Sequence, residues 1–502
     1  MRHLAILLLV VTSIPSAAFA ASVTDPNLVV ETVITSGGAL NAPVGFAFIA
    51  PNDILVIEKN VGRVRRVTSG VLQAGNVLDL HVNNVSERGL LGIALPPDFA
   101  SNHFVYLYWT QSSILNDSSV QSEVIAHRVT RYSWNGAALV SPVPIMTLPV
   151  LPGPNHDGGH MIFGPDGKLY IQTGDLNRNG QLQNYPTGPA PDSTGVILRI
   201  NQDGSAPSDN PFFSLGAPMS PFYAYGIRNQ FGMTFDPVTG ILWQSENGPS
   251  QYDEVNAVGP GFNSGWEKIM GPDARDPQGE SDLWSPSPTA FYSDPEFSWL
   301  SPVCVTAVAF PDVGGLGAAY SDAFLVGDCN DGRIFRFEMN ASRDGFTFTH
   351  VGLADLVGDS ETEMAELAWG SGFSAVTDMR SGADGSLYVL SFTGLYRIFD
   401  PDVLAAGDPV PPPAALTNAP NPFSDRTTIR VAMARPGVAS LAIFDVSGRL
   451  VRKLHDGPIA EGVRAFVWDG QDDEGRRVAA GVYHLRLSGD GRTLSHRAIR
   501  VN

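Results

Sequence analysis

The chain has 502 residues, enough for two to four domains. Hydrophobic residues make up 43% and charged residues 17%, which excludes wholesale disorder and leaves material for a sizeable core. The formal net charge of -19 argues against nucleic acid as a partner, because phosphate recognition needs a basic face, and the acidity belongs to one body: segment 418–502 is net basic.

The first element is a targeting segment. Met1-Arg2-His3 is a short basic start, Leu4 to Val11 is apolar, and Ala18-Phe19-Ala20 has the small-x-small pattern of a cleavage site. Residues 1–20 are therefore expected to be a secretory signal peptide, and the mature chain to be exported, either secreted, held at the cell surface or left in the periplasm. The apolar run is too short to span a bilayer.

A repeat organises residues 21–402. A small-apolar strand, a Pro/Asp/Gly turn, a second apolar strand and a third strand recur six times. The copies begin at Gly45–Phe48, Leu91–Ala94, His160–Phe163, Gly232–Phe235, Ala307–Phe310 and Asp378–Ser381. Six such units predict an all-β chain with a six-bladed β-propeller. A β-sandwich of the same length is the alternative. The sixth copy shows only three strands, and the alternating segment Val29–Ile34 is expected to supply its fourth. Long loops between strands gather on one face and usually carry the site.

The two cysteines, Cys304 and Cys329, lie in strand-like runs of the fifth copy. If those strands are neighbours, an exported chain can join them as a disulfide; otherwise they are two buried thiols. Segment 403–417 contains Pro409-Val410-Pro411-Pro412-Pro413 and reads as a stiff linker. Segment 418–502 has short alternating strands with turns at Gly448, Asp469-Gly470 and Gly475, and is expected to be a small immunoglobulin-like β-sandwich.

One loop stands out chemically. His156 lies among Gly153, Gly158 and Gly159. A histidine titrating near neutrality in a loop that lets backbone approach a ligand suits the role of a general base. Asp175 could orient and stabilise the imidazolium. The competing readings are a histidine satisfying loop carbonyls and an aspartate capping a turn.

Around these residues the chain resembles the soluble glucose/sorbosone dehydrogenases, propellers that use pyrroloquinoline quinone. The resemblance covers roughly residues 40–400. It rests on Glu87-Arg88-Gly89-Leu90-Leu91-Gly92, Asn155-His156-Asp157-Gly158-Gly159, Phe163-Gly164-Pro165-Asp166-Gly167, Tyr225-Gly226-Ile227-Arg228-Asn229 and Glu246-Asn247-Gly248-Pro249. It implies His156 as catalytic base with Asp175 as its aspartate. It also implies Arg228, with Asn229 beside it, on the quinone, and the carbonyls of Gly248 and Pro249 on a calcium ion that polarises the quinone. From the residues alone, Gly248-Pro249 is only a turn, and Arg228 an arginine among loop carboxylates.

The sequence departs from the family at the quinone's carboxylates. The family's Lys and Arg-x-Arg positions fall on Asn330, Ala375 and Thr377. Arg333 and Arg380 are the nearby cations that could replace them. Losing three charge-assisted contacts predicts weak binding of a trianion. The family's Asn-Tyr-Gly-Trp is Asn263-Ser264-Gly265-Trp266 here, which removes the tyrosine from a second calcium site.

Asn418-Ala419-Pro420-Asn421-Pro422-Phe423, Ile443–Arg449, Trp468-Asp469-Gly470 and Ala480-Gly481-Val482-Tyr483 resemble the hook-capping-type immunoglobulin-like domains of secreted bacterial proteins, close to type IX sorting domains. That resemblance implies a sorting or tethering role through the secretion machinery. The functions in view are thus a secreted calcium- and quinone-dependent oxidoreductase of sugars or related alcohols, a propeller that has lost the quinone and binds carbohydrate or surface ligands, and a calcium-dependent propeller lactonase.

Overall fold

The computed structural model describes residues 20–35, 39–275, 279–405, 416–433, 437–445, 449–459, 462–489 and 492–501. The expected signal segment and the centre of the linker lie outside them.

Six sheets, each built on an antiparallel meander, follow one another between residues 22 and 399. Their innermost strands are Pro43–Ala50, Leu90–Ala94, Met161–Phe163, Gln230–Phe235, Val305–Ala309 and Val376–Ser381. Each touches the next, and the last touches the first, so the sheets are blades one to six of a closed ring. Every pair of adjacent blades shares a buried apolar cluster. Between blades four and five, Trp243 packs on Phe324 and Phe346. Between blades six and one, Phe48 packs on Tyr388.

This arrangement explains the strand patterns. Second strands are covered on both faces, so they read as continuous apolar runs and not as alternation. Leu169–Thr173, Leu242–Glu246 and Leu387–Ser391 are buried at every residue. Val29–Thr35 pairs antiparallel with Gly394–Phe399 and completes blade six, with Val30 opposite Ile398 and Thr35 opposite Gly394. An unexpected second stitch precedes it: Ser22–Val23 pairs with Ala368–Ser371 of blade five.

The insert after Asp253–Val258 of blade four returns over blade three. Its strand Phe262–Asn263 lies parallel beside Tyr225 of Phe222–Tyr225. This detour carries Trp266 to Asp175 and Arg228. After the propeller, Leu416–Ala419, Thr427–Met433 and Gly462–Trp468 form one sheet, and four longer strands form the other. Trp468, Phe423, Ile429, Leu441, Ile443 and Leu485 fill the space between them. No helix among the described residues is long and apolar enough to cross a membrane.

Candidate active site

The loop ending Gly158-Gly159 enters blade three beside the axis. His156 has φ 60°, and Gly174 faces it so closely that a Cβ there would lie 2.2 Å from the His156 carbonyl oxygen. Glycine at 174 is therefore a condition for seating the histidine. Asp175 follows in the next turn, and its Oδ1 lies 2.6 Å from His156 Nδ1. A carboxylate only accepts, so Nδ1 carries the hydrogen and Nε2 presents its lone pair. No partner for Nε2 occurs among the described residues. Asp175 Oδ1 also accepts from Asn177 N at 2.7 Å, and Oδ2 accepts from Trp266 Nε1 at 2.7 Å.

A continuous chain of contacts joins the remaining expected residues. Asp175 N donates to the Arg228 carbonyl at 2.9 Å. Arg228 Nη1 donates to the carbonyls of Asn247 and Gly248 at 2.8 and 3.0 Å. Its guanidinium carbon stands 5.3 Å from the Trp266 ring centre. Asn229 Nδ2 points at Glu87, at 3.3 Å from Oε2, the oxygen that also accepts from His156 N at 2.7 Å. His156, Asp175, Arg228, Asn229 and Gly248 thus converge. Of these, Asn229 and Gly248 line the axial cavity itself, whereas His156, Asp175 and Arg228 stand behind its lining; Pro249 is exposed and does not line it.

The axial cavity encloses about 450 Å³. Glu87, Lys59, Asn229 and Gly248 line one side; Cys304, Cys329, Asn330, Ala375 and Thr377 line the other. Cys304 and Cys329 form a disulfide with Cα atoms 5.2 Å apart. Burial pushes the Glu87 carboxyl up, while His156 beside it pulls it back. Burial lowers the Lys59 ammonium. His160, on the floor, is lowered to about 4 by burial and is neutral at physiological pH.

Asp253 ties the cavity wall together. Its Oδ1 accepts from Gly248 N at 3.0 Å, and its Oδ2 accepts from the backbone of Val303, Cys304 and Val305. Behind His156, the fully buried Asp157 lies 2.9 Å from His127 Nε2 and 3.8 Å from Arg88 Nε. Glu246, pushed up to about 7 by burial, accepts from Arg228 N and from Ser264 Oγ, both at 2.6 Å. Ser264 thus spends its hydroxyl on a carboxylate, at the position where the resembling family has tyrosine.

Sequence reasoning did not assign Glu87, Trp266, Lys59 or Asp253. Glu87 and Trp266 stand inside motifs already singled out, but nothing local says that Trp266, on another blade's insert, reaches Asp175.

The calcium and quinone expectations meet this geometry differently. The Gly248 carbonyl is already engaged by Arg228, Pro249 lies outside, and no cluster of three acidic, His or Cys side chains suited to a metal occurs among the described residues. A calcium ion there would share the Gly248 carbonyl with a positively charged guanidinium, which opposes its binding. On the quinone side, Arg228 Nε and Asn229 Oδ1 are buried without partners, as groups awaiting a ligand would be. Opposite them, Asn330, Ala375 and Thr377 face the cavity without charge. The residues present do not fit a tricarboxylate.

Fold and site together define a six-bladed propeller with an axial cavity served by a His–Asp dyad. The family described as Glucose / Sorbosone dehydrogenase matches residues 40–395, and the chain belongs to it. A FlgD Ig-like domain matches residues 421–492. The chain is 33% identical over 251 residues to Quinoprotein glucose dehydrogenase B of Acinetobacter calcoaceticus, covering 46% of this chain and 51% of that protein. It is 26% identical over 366 residues to Aldose sugar dehydrogenase YliI of Escherichia coli K12, covering 70% and 87%. It is also 26% identical over 193 residues to human Hedgehog-interacting protein, covering 35% and 27%. The chain spans about half the length of the first curated relatives it matches. The PQQ-bound Aldose Sugar Dehydrogenase of Streptomyces coelicolor shares the fold at 24% identity and a TM-score of 0.54, over 74% of this chain and 98% of that one.

Proposed function

We propose that this chain is an oxidoreductase of sugars or related alcohols in which His156 is the general base. The observation that carries the reading is the dyad: Asp175 holds Nδ1–H at 2.6 Å, leaving Nε2 to accept a proton. In the reaction the substrate O–H proton passes to Nε2, the C–H bond breaks with its electron pair going to a two-electron acceptor, and the C–O bond becomes a carbonyl. Asp175 stabilises the imidazolium as it forms. The acidic neighbour Glu87, which accepts from His156 N, fixes the loop. Gly158 and Asn229, its neighbours, line the cavity that would receive the substrate. A calcium ion is a candidate second component, in competition with Arg228. Export and tethering through the C-terminal sandwich complete the proposal.

The test is turnover of aldoses by the purified chain with an added acceptor. His156→Ala should lower turnover by roughly 100-fold or more while far-UV circular dichroism is unchanged. Equal turnover in the variant would remove the reading. A second reading, a propeller that binds carbohydrate without turning it over, draws on the neutral side chains of Asn330, Ala375 and Thr377. It requires sugar binding that survives His156→Ala with no oxidation in either protein.

A further inference from the structure

We infer that the cavity wall formed by blades five and six is built for an uncharged planar ligand, so that the chain takes a neutral quinone-type acceptor in preference to a tricarboxylate. The inference rests on the oxidoreductase reading and names the acceptor class.

Four observations carry it. First, Asn330, Ala375 and Thr377 all line the cavity, Ala375 buried, Thr377 half-buried and Asn330 exposed, and none of the three brings a charge. Second, the arginines nearest in sequence are committed elsewhere. Arg333 pairs with Asp328 at 2.8 Å and Asp331 at 3.3 Å. Arg380 pairs with Asp378 at 2.9 Å, lies over Phe46, and lines two smaller pockets instead of this cavity. Third, the single hydrogen of Thr377 Oγ1 has two carbonyl acceptors within the protein, Pro43 at 3.1 Å and Leu390 at 3.2 Å, and so is not offered to a carboxylate.

Fourth, the cations that remain are balanced. Lys59 lines the cavity with its Nζ on the Ser86 carbonyl at 2.7 Å, and Arg228 stands behind the lining residues Asn247 and Gly248, on whose carbonyls its Nη1 is spent. Glu87 and Asp253 are two carboxylates in the same cavity. Three further carboxylates would enter a site with no net positive charge, in a strongly acidic body. Beside the polar His160, Asn247 and Thr306, the lining is largely apolar: Val44, Leu91, Phe231, Phe392, Pro302 and the cystine. Such a wall gains by covering a flat uncharged ring and loses by stripping water from an anion.

The experiment titrates the full chain with pyrroloquinoline quinone and with its trimethyl ester, following tryptophan fluorescence at low and high salt. The ester should bind at least tenfold more tightly, with little dependence on salt. The variant N330K/A375R/T377R should reverse the order and acquire salt dependence; the single A375R serves if the triple variant misfolds. Tighter wild-type binding of the trianion, weakening with salt, would overturn the inference, and so would failure of both compounds to bind. Ester binding without sugar oxidation would instead count against the oxidoreductase reading and leave the wall as inferred.

Discussion

Trp266 donates its indole N–H to Asp175, at 2.7 Å, on the carboxylate oxygen opposite the one that holds His156. One aspartate is thus pinned from two sides, by residues of the loop into blade three and of the insert from blade four. Its rotamer is fixed before any substrate arrives, and so is the direction of His156 Nε2.

Trp266→Phe keeps the ring beneath Arg228 and removes only the indole donor. Turnover should fall about tenfold, the order of effect expected when an orienting hydrogen bond is lost. Substrate binding should change little, and exchange of the His156 Nδ1 proton, read by nitrogen-15 correlation spectra, should accelerate. Loss of turnover together with global unfolding would mark Trp266 as structural only.

A calcium ion at the proposed site would meet the Arg228 guanidinium, which already donates to the carbonyls of Asn247 and Gly248. Isothermal titration of the wild-type chain should find calcium binding weak at this site. Arg228→Gln frees the carbonyls of Asn247 and Gly248 and removes a positive charge, so calcium affinity should rise by about tenfold or more. Unchanged affinity would place calcium elsewhere.

Reducing the Cys304–Cys329 disulfide should act at two levels. The bond closes a 25-residue separation, and its loss should cost about 3–4 kcal/mol of stability. Because both sulfurs line the cavity, ester binding should weaken before the propeller unfolds. Thermal melts and fluorescence titrations with and without a phosphine reductant check both.

Glu296 supplies a pH signature. Burial pushes its carboxyl up to about 8, aided by Asp344 and Asp294, and its side chain accepts from Ala257 N at 2.6 Å. The folded state therefore holds this proton more tightly than the unfolded chain, whose value is 4.5. The resulting stability is full below pH 4.5 and is lost as pH rises towards 8. Glu296→Gln should flatten that decline in melting temperature; a parallel decline in both proteins would assign it to other groups.

Much of the ring was legible in the sequence because a blade is a local object. Turn residues between short apolar strands repeat, and the strand needed to finish blade six shows its alternation at Val29–Ile34. The Ser22–Val23 stitch was not legible: two residues carry no periodicity, and the pairing is decided by an edge left open about 350 positions later. The same division holds in the site. His156 and Asp175 announce themselves by type and neighbouring glycines. Trp266, Lys59 and Asp253 do not, because their roles depend on which insert folds over which blade. Gly248 and Pro249 read as an equivalent pair, but the fold turns Pro249 outward and gives the Gly248 carbonyl to an arginine.

The seam between the two ends of the propeller has a mechanical meaning. Val29 lies opposite Phe399, so the incoming and outgoing chains leave the last ladder from the same end. A pull between the N-terminal segment and the C-terminal sandwich would load these bonds one at a time, as a zipper is opened, and not together in shear. Ser22–Val23 would peel from blade five first, then blade six would lose its outer strand. Blades one to four, and the inner strands of blade five, are meanders of consecutive or nearly consecutive strands and lie outside that line of force. If the sandwich is held at a cell surface, force taken up through the body of the propeller would leave the ring shut, whereas force on its leading end would unfasten it.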